Sequence, residues 1–121
     1  MSESFEHDNL IAGSQKPVVQ DPGTIRVFES FSRGQLLGKL TATHKWQVLD
    51  FDAIASFEDY GIAVEAIDTT DGTERKTTIY VEGEFNENEV LFSYNDTADD
   101  WRAKLRDHGI YLRKALTTEG V

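Results

Sequence analysis

Two alternating runs on either side of an Asp-Gly step constrain this chain more than anything else in its sequence. Gly61-Ile-Ala-Val-Glu-Ala-Ile67 puts Ile62 and Val64 on one face, and Lys76-Thr-Thr-Ile-Tyr-Val81 does the same with Ile79 and Val81. A period of two marks a strand with distinct faces. Between the runs, Asp71-Gly72 offers the positive φ that a tight reversal needs. An antiparallel hairpin is expected here. A second hairpin is expected upstream, with strands at 35–41 and 45–49 around Ala42-Thr43-His44. Leu36 and Leu40 share a face of its first strand, and Trp46 and Val48 share a face of its second. Ile25, Val27 and Phe28 read as a short strand before it.

The helical signal is confined to residues 98–108. Thr97 can cap that helix, with Asp100 three residues on in a capping-box arrangement. Asp99 and Asp100 suit the positive end of the helix dipole, while Lys104 and Arg106 lie toward its negative end. Trp101, Leu105 and His108 form a stripe, Gly109 stops the helix, and Ile110-Tyr-Leu112 resumes as an extended segment. In Val81-Glu-Gly-Glu-Phe85, the strand is expected to end at Gly83 and Phe85 to fold back as a plug. The fold class is α+β: a small, mixed, β-rich domain with one main helix.

Residues 1–23 read as a flexible N-terminal arm and residues 24–121 as the domain. The arm is polar and carries both prolines, Pro17 and Pro22. It also carries two short apolar pairs, Leu10-Ile11 and Val18-Val19, of the kind an extended segment uses to add to another protein's sheet edge. The alternative is that these pairs pack on the chain's own domain. The first reading makes Leu10, Ile11, Val18 and Val19 the candidate partner-binding residues.

Chemistry is harder to find. His7, His44 and His108 are not at metal-ligand spacing from one another, and the chain has no cysteine, so thiolate metal sites, disulfides and thiol nucleophiles are excluded. Asp68, Asp71 and Glu74 lack the alternate-position oxygens of a calcium loop and read as turn residues. Asp50 and Asp52 flank Phe51, and paired carboxylates do acid–base work only in a cleft that shifts one pKa. No phosphate-cradling glycine loop or nucleophile elbow occurs. The reading is non-enzymatic, with no catalytic, cofactor-binding or metal-ligating residues. Twenty-two acidic residues against twelve basic ones give a net charge of −10, which argues against nucleic acid and anionic membranes as partners. The N-terminus lacks the positive, then apolar, pattern of an export signal.

The order of three fragments carries a resemblance. Gly61-Ile-Ala-Val64, Gly83-Glu-Phe-Asn86 and Gly109-Ile-Tyr-Leu112, preceded by a polar arm, resemble the head decoration protein D family of lambda-like bacteriophages over about residues 24 to 115. The resemblance implies a β-tulip domain that forms homotrimers and binds the major capsid protein outside the expanded head, at three-fold positions. It also implies synthesis in the host cytoplasm, no cofactor, and an arm that becomes ordered on the capsid. The competing expectation is a non-enzymatic β-domain that binds a carbohydrate or other ligand through Trp46 or Trp101.

Overall fold

A computed structural model describes residues 10–12, 17–49, 57–93 and 96–114. Its strands are β1 (Val19–Ile25), β2 (Ser30–Phe31), β3 (Leu36–Leu40), β4 (Trp46–Val48), β5 (Phe57–Ala63), β6 (Ile67–Asp68), β7 (Arg75–Asn86) and β8 (Ile110–Arg113). Helix α1 spans Ala98–Arg106. Five strands close on themselves in the order β1-β4-β3-β5-β7 and back to β1, giving a mixed barrel. β1 and β4 meet in parallel through Ile25 and Trp46, and the other barrel pairings are antiparallel. Closure leaves fewer unpaired strand edges than an open sheet would. β2 and β6 form a separate two-stranded clip.

The alternation seen in the sequence sorts the apolar side chains into two clusters. The smaller one draws Ile25, Leu37, Trp46, Ala63 and Ile79 from the five barrel strands in turn, and so fills the barrel. Trp46 fits because two glycines face it. A Cβ on Gly23 would lie 2.7 Å from the indole nitrogen, and one on Gly61 would lie 3.1 Å from the ring. The larger cluster lies outside the wall, where Leu36, Tyr60, Ile62, Tyr80 and Phe85 pack against Trp101 and Leu105 of α1 and Ile110 and Leu112 of β8. Val64 and Leu40 join it, while Val48 and Val81 lean on the barrel interior. Both expected hairpins are therefore present with the faces the sequence assigned. In the hairpin around Asp71-Gly72, the strand expected to run from Gly61 to Ile67 stops at Ala63 and pairs Ile62 with Tyr80 and Ala63 with Ile79.

Three other differences from expectation bear on the site. β7 does not end at Gly83 but runs on to Asn86, because its neighbours supply new hydrogen-bonding partners. Before Gly83 it pairs with β1 and β5; from Gly83 it pairs with β8, and Ile11 bridges to Phe85. Gly83 makes this exchange at φ +144°, a backbone region open mainly to glycine. Phe85 is fully buried there as a strand residue.

The second difference lies at the start of the chain. β1 begins at Val19, so the division expected between residues 23 and 24 falls inside a barrel strand. The third is local: the strand expected to include Val27 and Phe28 ends at Ile25, and Val27 and Phe28 form a turn.

α1 is built as its sequence dictates. Asp100 accepts the Thr97 backbone N–H at 2.7 Å, and Trp101 and Leu105 are the buried residues of the helix. Gly109 turns the chain away at φ +83°. No helix among the described residues is long and apolar enough to cross a membrane.

Candidate functional site

Of the four residues expected to contact a partner, the structure divides two from two. Leu10 is 1% exposed and belongs to the larger core cluster, and Val18 is half-buried against the same cluster. Ile11 is 41% exposed and Val19 37%. Leu10 C=O accepts the Asn86 N–H at 2.7 Å, and Ala12 N–H donates to Glu84 C=O at 2.9 Å, so residues 10–12 lie along β7. The physical reason is alternation: in an extended segment neighbouring residues face opposite ways, so an apolar pair cannot present both members to one partner. The described part of the N-terminal segment packs on the chain's own domain, which is the alternative weighed for it. Leu10 is not a surface contact in this conformation.

Two further large apolar side chains are exposed, and no local pattern singles them out. Leu91 is 42% exposed and Phe28 is 70% exposed. Phe28 sits at φ +67°, in the left-handed region that a bulky side chain seldom occupies. Its turn is held by polar groups that are themselves buried. Glu29 accepts the Val48 N–H and the Arg26 Nε–H, both at 2.9 Å. Thr69 accepts the Glu29 N–H at 2.8 Å and donates its hydroxyl to Arg26 C=O at 2.6 Å. Two backbone bonds close the arrangement, Phe28 N–H to Thr69 C=O and Thr69 N–H to Glu29 C=O, each 2.8 Å. These bonds to buried Glu29 and Thr69 brace the turn.

The charged side chains are mostly committed to one another. Arg102 reaches Glu87 at 2.7 Å and Asp99 at 3.0 Å, and both carboxylates, Glu87 foremost, hold its guanidinium still more firmly protonated. Arg113 pairs with buried Glu84 at 2.7 Å. A shallow depression lined by Arg102, Arg106, Tyr111, Leu112 and Arg113 is thus not a free anion site, since two of its three arginines already face carboxylates. Arg102 and Arg113 thus tie α1 and β8 to β7 and the residue that follows it.

The remaining candidates resolve into structure. Asp68 accepts the Thr70 N–H at 2.9 Å, and its bonds to the Thr70 hydroxyl and amide hold its carboxyl below the usual range. Asp71 accepts the Thr73 N–H, and Glu74 pairs with Lys45. His44, at φ +61° in the β3–β4 turn, bonds Glu58 at 2.8 Å, which lowers the Glu58 carboxyl. His108 lies 3.2 Å from Asp59 and packs edge-on against Tyr60, whose phenol is pushed up first by burial and then by Asp59. Among the described residues no group of three or more His, Asp or Glu could hold a metal ion. Asp50, Asp52 and His7 lie outside the described residues. Trp46 and Trp101 are both buried, so neither is the exposed aromatic platform on which the carbohydrate-binding alternative rested.

What remains, among the described residues, is a small barrel with many of its charged groups paired to one another and with large apolar side chains exposed at Ile11, Val19, Phe28 and Leu91. No curated protein matches the chain closely enough to add a relative. Compared with known protein families, residues 2–110 match bacteriophage lambda head decoration protein D, so the chain belongs to that family of non-enzymatic structural proteins, which sit on the virion capsid surface and stabilise it.

Proposed function

We propose that the protein binds the outside of the expanded phage head as a homotrimer at three-fold positions. There it holds neighbouring major capsid protein subunits together against the pressure of packaged DNA. The observation that carries this reading is the family match across residues 2–110, nearly the whole length of the chain. In this reading the shell-facing region lies within residues 1–23 and residues 24–121 form the decoration domain. That division is one of function, since β1 crosses it. Among the described residues of the segment, Ile11 and Val19 are the apolar side chains exposed to meet the shell, while Leu10 and Val18 moor it to the domain.

The physical requirements agree. A clamp needs no catalytic group. It needs several modest contacts engaged at once, and three copies on one trimer supply them, because the second and third bind at high effective concentration. An acidic body does not interfere with a role on the outer surface, away from the packaged DNA.

Cryo-electron microscopy of expanded shells mixed with the protein tests the proposal. The expected result is three-lobed density outside the shell at the three-fold positions. Shells left bare at saturating protein would contradict it, and density from single copies would contradict the trimer.

A further inference from the structure

We propose that Phe28 is a second anchor to the capsid shell, separate from the N-terminal segment, whose ring enters an apolar pocket on the major capsid protein. The inference rests on the head-decoration role and adds to it a residue and a mode of contact.

Three observations converge on this side chain. Among the described residues its ring is the most exposed large apolar group, so it contributes little to the core. Its backbone is held at φ +67°, a conformation that persists in a bulky residue only where the surroundings enforce it, and such enforced strain gathers at binding sites. The enforcing groups are buried Glu29, within the turn, and buried Thr69, distant in the chain, whose hydrogen bonds fix Arg26 to Glu29. A turn serving only to reverse the chain could place glycine or asparagine at this position with no strain. Rigid aromatic side chains on braced backbone lose little entropy on binding and are the residues that dominate protein–protein contacts.

The family role favours the shell as the occupant. That role is binding to the capsid, and a second copy seated on the ring is an outcome the test below distinguishes. Position separates the two attachments. The turn follows Ile25, which pairs with Arg75, whereas Ile11 pairs with Phe85. Arg75 and Phe85 stand about ten residues apart on β7, up to roughly 33 Å at about 3.3 Å per residue. A long reach of this kind lets one small domain touch the shell at two distant points.

The test uses the full-length chain as wild type, Phe28→Asn and Phe28→Tyr, titrated onto expanded shells that lack decoration protein. Occupancy is read by electron microscopy, and melting and sedimentation are measured on the free proteins. Asparagine takes the left-handed backbone readily, so Phe28→Asn is expected to melt no lower than wild type yet to bind shells about 30-fold more weakly or worse, as loss of a dominant contact does. Phe28→Tyr should keep wild-type occupancy. Phe28→Asn binding at wild-type affinity would overturn the inference, and so would a clear drop in its melting temperature, which would make the ring a structural group. If Phe28→Asn lost self-association while its copies still bound shells normally, the pocket would belong to a second copy and the shell assignment would fall. A wild-type chain that decorates no shell would refute the head-decoration reading itself and this inference with it.

Discussion

The N-terminal segment and the Arg26–Glu29 turn adjoin in the chain, and each carries exposed apolar side chains held there by different physics. In residues 10–12 and 17–25 the exposure of Ile11 and Val19 is a consequence of strand geometry. Their neighbours Leu10 and Val18 point inward, and the pleat leaves the alternate positions outside. In the turn, exposure goes with a ring of hydrogen bonds made by buried Glu29 and Thr69, which holds Phe28 against its own backbone preference. The first arrangement is inexpensive and replaceable, and the second is costly and specific. An exposed apolar residue says little by itself; what holds it in place says more.

The contrast breaks most visibly at Leu10. Leu10→Ala removes a fully buried side chain and should cost about 2–5 kcal/mol in urea unfolding, whereas Ile11→Ala should fall within about 0.5 kcal/mol of wild type. Equal small effects at both sites would mean that residues 10–12 are not part of the fold. The turn offers the next effect. Thr69→Val keeps shape but strips the hydroxyl from the Glu29 N–H and the Arg26 C=O, and leaving such groups unpaired should cost about 1–3 kcal/mol. If stability were unchanged, the ring of hydrogen bonds would not be what braces Phe28.

Smaller still is the outward face of the N-terminal segment. Ile11→Thr with Val19→Thr keeps β-branched residues in extended backbone and should shift stability by about 0.5 kcal/mol or less per site, while weakening shell binding in a titration. Wild-type binding by this double variant would move the shell contact away from the segment. The least effect concerns the packing beneath the helix. Burial raises the Tyr60 phenol above its ordinary pKa, so its contribution to stability is complete below the unfolded value near ~10 and is lost as pH rises through the folded one. Tyr60→Phe should flatten the alkaline arm of the melting curve against pH and leave the neutral range unchanged.

Much of the barrel was legible in the sequence because alternation is a local signal. Leu36 with Leu40, Trp46 with Val48, Ile62 with Val64 and Ile79 with Val81 each went to the cluster their shared face implied. The three fragments that carried the family resemblance were informative for a structural reason. Each opens on a glycine that the backbone needs at that point. Gly61 makes room for Trp46, Gly83 sits where β7 exchanges partners, and Gly109 ends the helix.

What was not legible depended on distant partners. Pro22 argued against a strand, yet β1 carries it opposite Thr78. Among the described residues β4 meets β1 only at Ile25, so on that side the missing N–H of Pro22 deprives no strand of a bond. Glycine and glutamates argued that β7 stops at Gly83, but β8 and residues 10–12 lie beside it further on. Phe28 gave no warning at all, because nothing in Arg26-Val27-Phe28-Glu29 announces a left-handed aromatic. Its conformation is set by Thr69, forty-one residues away in the chain.

If this protein is a clamp for the pressurised head, the resistance of that head to rupture measures it directly. DNA-filled expanded heads lacking decoration protein would be heated with and without the purified chain while DNA release is followed. Heads carrying the protein should hold their DNA to a clearly higher temperature, and the gain should saturate as sites on the shell fill. Release at the same temperature, with the protein bound to the shell, would contradict the clamp.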